Sequence, residues 1–230
     1  MQTLDYIRNN QKLRTILERN FDLNILDFLE QPENLNGRLS WSMQGQTFAL
    51  RGDGSQYILL VDGTVGFWSV DGNVGRIADN IEDFFTLLIN CEDWLWFSMR
   101  PAGSDEMWYL DSTLLSSFIE ARMNALCSSI DTELEGIKRW VCNELNISLC
   151  SNLNPILHHF YLSTYRTPPL TALYREDDGT LSCSSGLIVE LFEDAGTPLK
   201  ATNEKDLDRK PTKTETKNLA EKYGLAPPEC

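Results

Sequence analysis

Residues 46–90 read QTFALRGDGSQYILLVDGTVGFWSVDGNVGRIADNIEDFFTLLIN, a run of β-branched and aromatic residues cut by Asp-Gly pairs and ending in an apolar stripe. Ser55 to Val61 and Thr64 to Val70 are separated only by Asp62-Gly63. A two-residue connection that matches strand twist requires positive φ at both central positions, which Asp tolerates and Gly adopts freely. The spacing therefore predicts a β-hairpin. Asp71-Gly72 repeats the device and predicts a third antiparallel strand around Asn73 to Arg76.

Within the second strand, Val65, Phe67 and Ser69 point one way, and Gly66, Trp68 and Val70 the other. One aromatic on each side predicts a central strand covered on both faces, and Gly66 marks a bulge or a close neighbour. Asp79 stands three residues before Glu82, and Ile81, Phe84, Phe85 and Leu88 recur at helical spacing. That pattern predicts a capped helix packed on the sheet, each apolar side chain contributing about 1.5–3 kcal/mol.

Outward from this stretch, Gln2 to Asn20 reads as a first helix and Phe21 to Leu29 as a second short one before the turn from Pro32 to Gly37. Arg38 to Gln44 and Gln46 to Arg51 read as strands, with Gly52-Asp53-Gly54 as the turn after them. Beyond residue 90, Trp94, Trp96 and Phe97 form a short strand-like run, and helices are expected over Ser112 to Ser128 and Asp131 to Leu149. Asp131 is suited to cap the latter, and Asn154-Pro155 to open a further helix or turn. Ala172 to Ser184 returns to strand chemistry around Asp177-Asp178-Gly179, and Ser185 to Phe192 reads equally as strand or short helix. Residues 196–213 are almost without apolar side chains and read as a linker ahead of a short helix at Thr214 to Tyr223. The fold class expected is α+β: a mixed or antiparallel sheet built from Asp-Gly hairpins, with helices packed on it. One domain would span 1–195, with a helical extension from about 100, and 196–230 would follow as an appendage.

The 230 residues carry a net charge of −14, unevenly placed. Residues 1–199 hold 28 acidic and 13 basic side chains, and residues 200–230 hold six and seven. So negative a body repels phosphate backbones and anionic membranes, so nucleic-acid and membrane partners are not expected; it suits a basic partner, or serves solubility alone. The six cysteines, at 91, 127, 142, 150, 183 and 230, form no CxxC pair, and the polar N-terminus has no signal-peptide core. Free thiols in a cytoplasmic protein are the expectation.

Chemistry is sparsely signalled. His158 and His159 are the only histidines, and adjacent helical residues diverge by about 100°, so they cannot grip one ion from one face. No metal or cofactor motif accompanies them. Ser182-Cys183-Ser184-Ser185-Gly186 lacks the small residue of a nucleophile elbow, and the glycines at 63, 66, 72 and 75 match neither a dinucleotide nor a phosphate loop. Glu176, Asp177 and Asp178 form an acidic tip better read as a solvated turn than as a cation site.

The order LLVDGTVGFWS, then DGNVGRIADNIEDFFTLLI, resembles the SUKH superfamily, whose bacterial members include many immunity proteins encoded beside polymorphic toxins. The resemblance is carried by Leu59, Leu60, Asp62, Gly63, Val65, Gly66, Gly75, Arg76, Ile77, Ala78, Phe84, Leu87 and Leu88. The approach to the first strand, over Asp22 to Asn36, departs from the family pattern, and the segment after Met99 has no counterpart in it. The resemblance implies a sheet flanked by helices, no catalysis, no cofactor and tight binding to one cognate toxin. Toxins of the nuclease type are basic, which suits an acidic partner. A regulatory scaffold of the same superfamily is the alternative reading, and a hydrolase using His158 or His159 a third. The residues assigned to partner contact are Trp94, Trp96 and Trp108 as anchors, with core the preferred reading of all three. Glu92, Asp93, Asp105 and Glu106 are assigned as partners of basic groups; Asp62, Gly63, Asp71 and Gly72 are assigned to structural turns.

Overall fold

Four connections in the chain share one turn. Leu60 N–H donates to the Thr64 carbonyl and Gly63 N–H to the Leu60 carbonyl, both at 2.9 Å, and the same pair of bonds recurs at 51–55, 69–73 and 176–180. Gly54, Gly63, Gly72 and Gly179 have φ of 84–90°, whereas the aspartates before them do not have positive φ. These are three-residue loops closed by a left-handed glycine, not the two-residue loops the Asp-Gly spacing predicts. In three of the four the aspartate side chain accepts from the backbone N–H two residues on, and at 69–73 the Ser69 hydroxyl accepts from the Asn73 N–H instead. Asp62 Oδ1 accepts from the Thr64 N–H (3.2 Å) and hydroxyl (2.7 Å), and Asp178 Oδ1 does the same at Thr180.

The structure, a computed structural model, describes residues 2–91, 94–101, 104, 107–126 and 132–190. In chain order, α1 (Gln2–Asn9) and α2 (Gln11–Phe21) precede β1 (Asn24–Glu30), β2 (Leu39–Trp41), β3 (Gly45–Leu50), β4 (Gln56–Leu60), β5 (Val65–Trp68), β6 (Asn73–Ala78) and α3 (Ile81–Asn90). A 3-10 turn at Trp94–Phe97, β7 (Met99–Arg100), a second 3-10 turn at Trp108–Leu110, α4 (Ser112–Leu126), α5 (Thr132–Leu145) and α6 (Asn154–Thr164) follow. The described chain ends with β8 (Ala172–Arg175), β9 (Leu181–Cys183), β10 (Ser185–Gly186) and β11 (Val189–Glu190). The main sheet runs β1-β3-β4-β5-β6-β10, antiparallel except for β10, which lies parallel to β6. A three-stranded sheet β2-β8-β9 and a parallel pair β7-β11 complete the α+β architecture.

Alternation along the central strands sorts side chains between two cores. Tyr57, Val65, Phe67 and Ile77 face the helices, in a cluster with Phe84, Phe85, Trp94, Phe118, Leu157 and Phe160. Ile58, Leu60, Trp68 and Val74 face the small sheet, with Leu39, Leu170 and Ala172. The one-aromatic-per-face expectation for β5 holds, because every residue of that strand is buried. Gly66 sits at a register shift against β6, and an added Cβ there would overlap the Leu170 side chain. Of the described residues after 100, Trp108, Leu115, Phe118, Val141 and Leu157 pack in the helix-side cluster, and Leu170 and Ala172 in the small-sheet one.

Arg76 is the largest polar side chain in this interior, 1% exposed on the small-sheet side of β6. Its guanidinium donates to Asp62 Oδ2 (2.6 Å), Thr64 Oγ1 (2.5 Å) and the Pro168 carbonyl (3.1 and 3.3 Å). One buried cation thus ties the β4–β5 turn to the segment that leads into β8.

Several local expectations are corrected. The first helix is two, broken at Asn10, whose side chain accepts from Leu13 N–H and caps α2. Phe21 to Leu29 is not a second helix: Asp22 turns left-handed, ends α2, and releases the chain into β1. Trp94 to Phe97 is a 3-10 turn, not a strand. α3 is capped by Asn80, which accepts from Asp83 N–H, while Asp79 accepts from the Ser163 hydroxyl. Asn154 lies inside the first turn of α6, with its side chain donating to Ser116 Oγ instead of capping. The ambiguous 185–192 region supplies β10 and β11 as far as Glu190. Asp131 and the 196–230 appendage lie outside the described residues.

Candidate binding surface

The sequence-assigned tryptophans separate. Trp94 is 1% exposed, with its ring edge-on to Phe67 at 5.0 Å and Phe160 at 5.7 Å. Trp108 is buried against Phe118 and Tyr161 at 4.9 Å each. Neither can meet a partner, so as anchors both are corrected to core. Trp96 is 47% exposed, and the Arg122 guanidinium lies 4.8 Å from its ring centroid. Glu92, Asp93, Asp105 and Glu106 lie outside the described residues.

A more exposed aromatic lies elsewhere. Phe28 is 80% exposed on β1, the terminal strand of the main sheet, where a register irregularity between Ile25 and Glu30 interrupts pairing with β3. Its neighbour Leu29 packs on the core, whereas Asp27, Glu30 and Gln31 beside it are exposed. The strand's open side is guarded by arginines. Arg8 Nε donates to the Leu26 carbonyl and Arg14 to the Ile25 carbonyl, both at 2.9 Å, and Arg14 also pairs with Asp27 at 2.6 Å. Glu30 has no ion-pair partner among the described residues. Reading 21–29 as a helix hid this residue, because Phe28 then falls on an apolar stripe. The break signal was Asp22 ahead of Leu23 and Ile25, where β-alternation begins.

The histidines occupy α6 beside α3. His159 borders a cleft of about 110 Å³ with Asp79, Asp83, Thr86, Pro155 and Ser163. Burial raises the Asp83 carboxyl above its ordinary range, against the pull of His159, and burial followed by His159 lowers His158. The Ser163 hydroxyl, 1% exposed, donates to Asp79 Oδ1 at 2.8 Å, and Arg166 pairs with the same oxygen at 3.3 Å. The Ser163 hydroxyl is therefore bonded to a carboxylate, not to an imidazole. Among the described residues no three His, Cys, Asp or Glu side chains are placed to hold a metal ion. The acidic tip is a turn in fact: Asp177 pairs with Arg38 at 2.7 Å, and Glu176 accepts from Ser182 at 2.7 Å. Glu133 and Glu135 are exposed in the first turn of α5. Cys142, Cys150 and Cys183 are free thiols.

A second cleft, of about 260 Å³, opens at the carboxyl end of α2. Glu18, Arg19, Asn20, Phe21 and Asp22 form one wall, Arg51 another, and Tyr57, Leu88 and Trp94 meet it from the core. Asp22 accepts from Gly52 N–H (2.8 Å) and pairs with Arg51 (3.0 Å), which braces the wall. No described helix is long and apolar enough to cross a membrane. Comparison of the chain with family models, curated proteins and solved structures returns no match.

Proposed function

We propose that this chain is a non-catalytic binding module of the immunity type, which engages a basic protein, a toxin of the nuclease class, through the face around Phe28. The observation that carries the reading is Phe28 itself, an aromatic 80% exposed on an edge strand beside Asp27 and Glu30. Aromatics pay their way at interfaces as anchors that fill a partner's pocket, while rim carboxylates steer a basic surface into register. The net charge of −14 favours that encounter over contact with nucleic acid. Because Arg8 and Arg14 already occupy carbonyls of β1, the partner is met by side chains and not by strand addition.

The test is co-expression with a basic nuclease-type toxin domain, sought first among the genes adjacent to this one, with growth and affinity as readouts. Phe28→Ala is expected to leave unfolding by urea within about 0.5 kcal/mol of the parent, since the side chain buries little. It is expected to weaken the complex at least about tenfold, as loss of an anchor does. Unchanged affinity in Phe28→Ala would remove this face, and recovery of housekeeping proteins in place of one basic partner would support the regulatory scaffold instead.

A further inference from the structure

The cleft at the carboxyl end of α2 has a feature that the protein-binding reading leaves unused. Tyr57 is 1% exposed, its ring enclosed by Phe48, Phe67, Phe84 and Trp94 at 4.9–6.4 Å between centroids. Its hydroxyl accepts from Trp94 Nε1 at 3.4 Å, and no described residue accepts the phenolic proton. Buried donors are almost always satisfied, so a cleft-lining phenol whose proton no described residue accepts is placed to meet an acceptor that enters the cleft. Burial pushes this phenol up to about 12, with Arg51 and Trp94 opposing, so at neutral pH it donates and never carries a charge.

The walls narrow the ligand class. Arg51 lines the cleft, with its Nε and one terminal nitrogen on Asp22 and its Nε also 3.9 Å from Asp53. Arg19 and Glu18, both exposed, have no ion-pair partner among the described residues. The carboxyl end of α2 adds partial negative charge from its last carbonyls. A simple anion would meet Glu18, Asp22 and the helix end, and a simple cation would leave the Tyr57 proton unsatisfied. A group carrying both charges satisfies both sides.

We propose that this cleft binds a small zwitterion of the α-amino-acid class, with its carboxylate toward the Tyr57 hydroxyl and Arg51 and its ammonium toward Glu18 and the end of α2. A volume of about 260 Å³ admits such a molecule together with a side chain. The site is independent of the Phe28 face and uses no residue of it.

The full chain is titrated with each of the standard L-amino acids, and with acetate and methylammonium as half-probes, followed by NMR shifts of the Trp94 indole and of backbone amides 18–22 and 51. At least one amino acid is expected to bind in saturable fashion and more tightly than either half-probe. Y57F, which keeps the ring, is expected to weaken it about tenfold or more, and E18Q, on the exposed face of α2, to weaken it severalfold. Phe28→Ala is expected to bind the amino acid normally, so failure of the toxin interaction leaves this result intact. The proposal is overturned if no amino acid perturbs these resonances, if acetate binds as tightly as any of them, or if affinity survives both Y57F and E18Q.

Discussion

Asp62→Ala is expected to cost the fold about 3 kcal/mol, far more than the same change at Asp71 in the next hairpin. Both aspartates precede a left-handed glycine in the same turn, yet only Asp62 faces the buried guanidinium of Arg76, at 2.6 Å. Removing one member of a buried pair strands the other, which typically costs about 3–5 kcal/mol. Here the Asp62 side chain is 40% exposed against 1% for Arg76, so solvent screens the pair and the lower end applies. Asp71 is exposed, and Asp71→Ala should change stability by about 0.5 kcal/mol or less. Urea unfolding of the two variants checks the difference, and equal losses would show that Asp62 acts only as a turn residue.

The same pair sets an acid limit. Burial pushes the Asp62 carboxyl up, but the Thr64 hydroxyl, Arg76 and the Thr64 N–H outweigh it and hold the group below its ordinary 3.8. With the folded value below the unfolded one, the stabilisation is complete above pH 3.8 and is lost as pH falls through the folded value. The gap between the parent and Asp62→Asn should therefore narrow below about pH 4.

Trp94→Ala carries the other large expected effect, about 3–5 kcal/mol, the range for emptying a core aromatic site. The residue joins the central sheet to α6: its ring meets Phe67 of β5 and Phe160 of α6, and its indole N–H reaches Tyr57 of β4. Trp96→Ala, two residues on and 47% exposed, should cost about 1 kcal/mol or less, most of it from losing the stack with Arg122. Thermal unfolding of both variants separates them. A small loss at Trp94, with a large loss of partner affinity, would return that residue to the anchor role.

The hairpins were legible because Asp-Gly pairs act locally, through one glycine φ and one aspartate side chain. What spacing alone could not show was the loop length, since Asp at positive φ and Asp bonded to the N–H two residues on leave the same two letters in the chain. β1 was hidden for a related reason. Apolar residues at 21, 23, 25, 26, 28 and 29 satisfy helical and strand periods alike, and the deciding left-handed residue, Asp22, is not a glycine. The small sheet was beyond reach because β2 pairs with β8 some 130 positions away, a match of shape across the Arg76 layer with no local sign. The polar cleft is assembled in the same way, from the end of α2, the turn after β3, the middle of β4, α3 and the 3-10 turn that follows it.

The proposed encounter of this acidic chain with a basic toxin is expected to be electrostatically driven. The direct measurement is the association rate constant of the purified pair by stopped flow, from about 20 mM to about 500 mM salt, with the dissociation rate followed in parallel. The account predicts that the association rate falls by about tenfold or more while dissociation changes little. An association rate that stays flat across that range would contradict it.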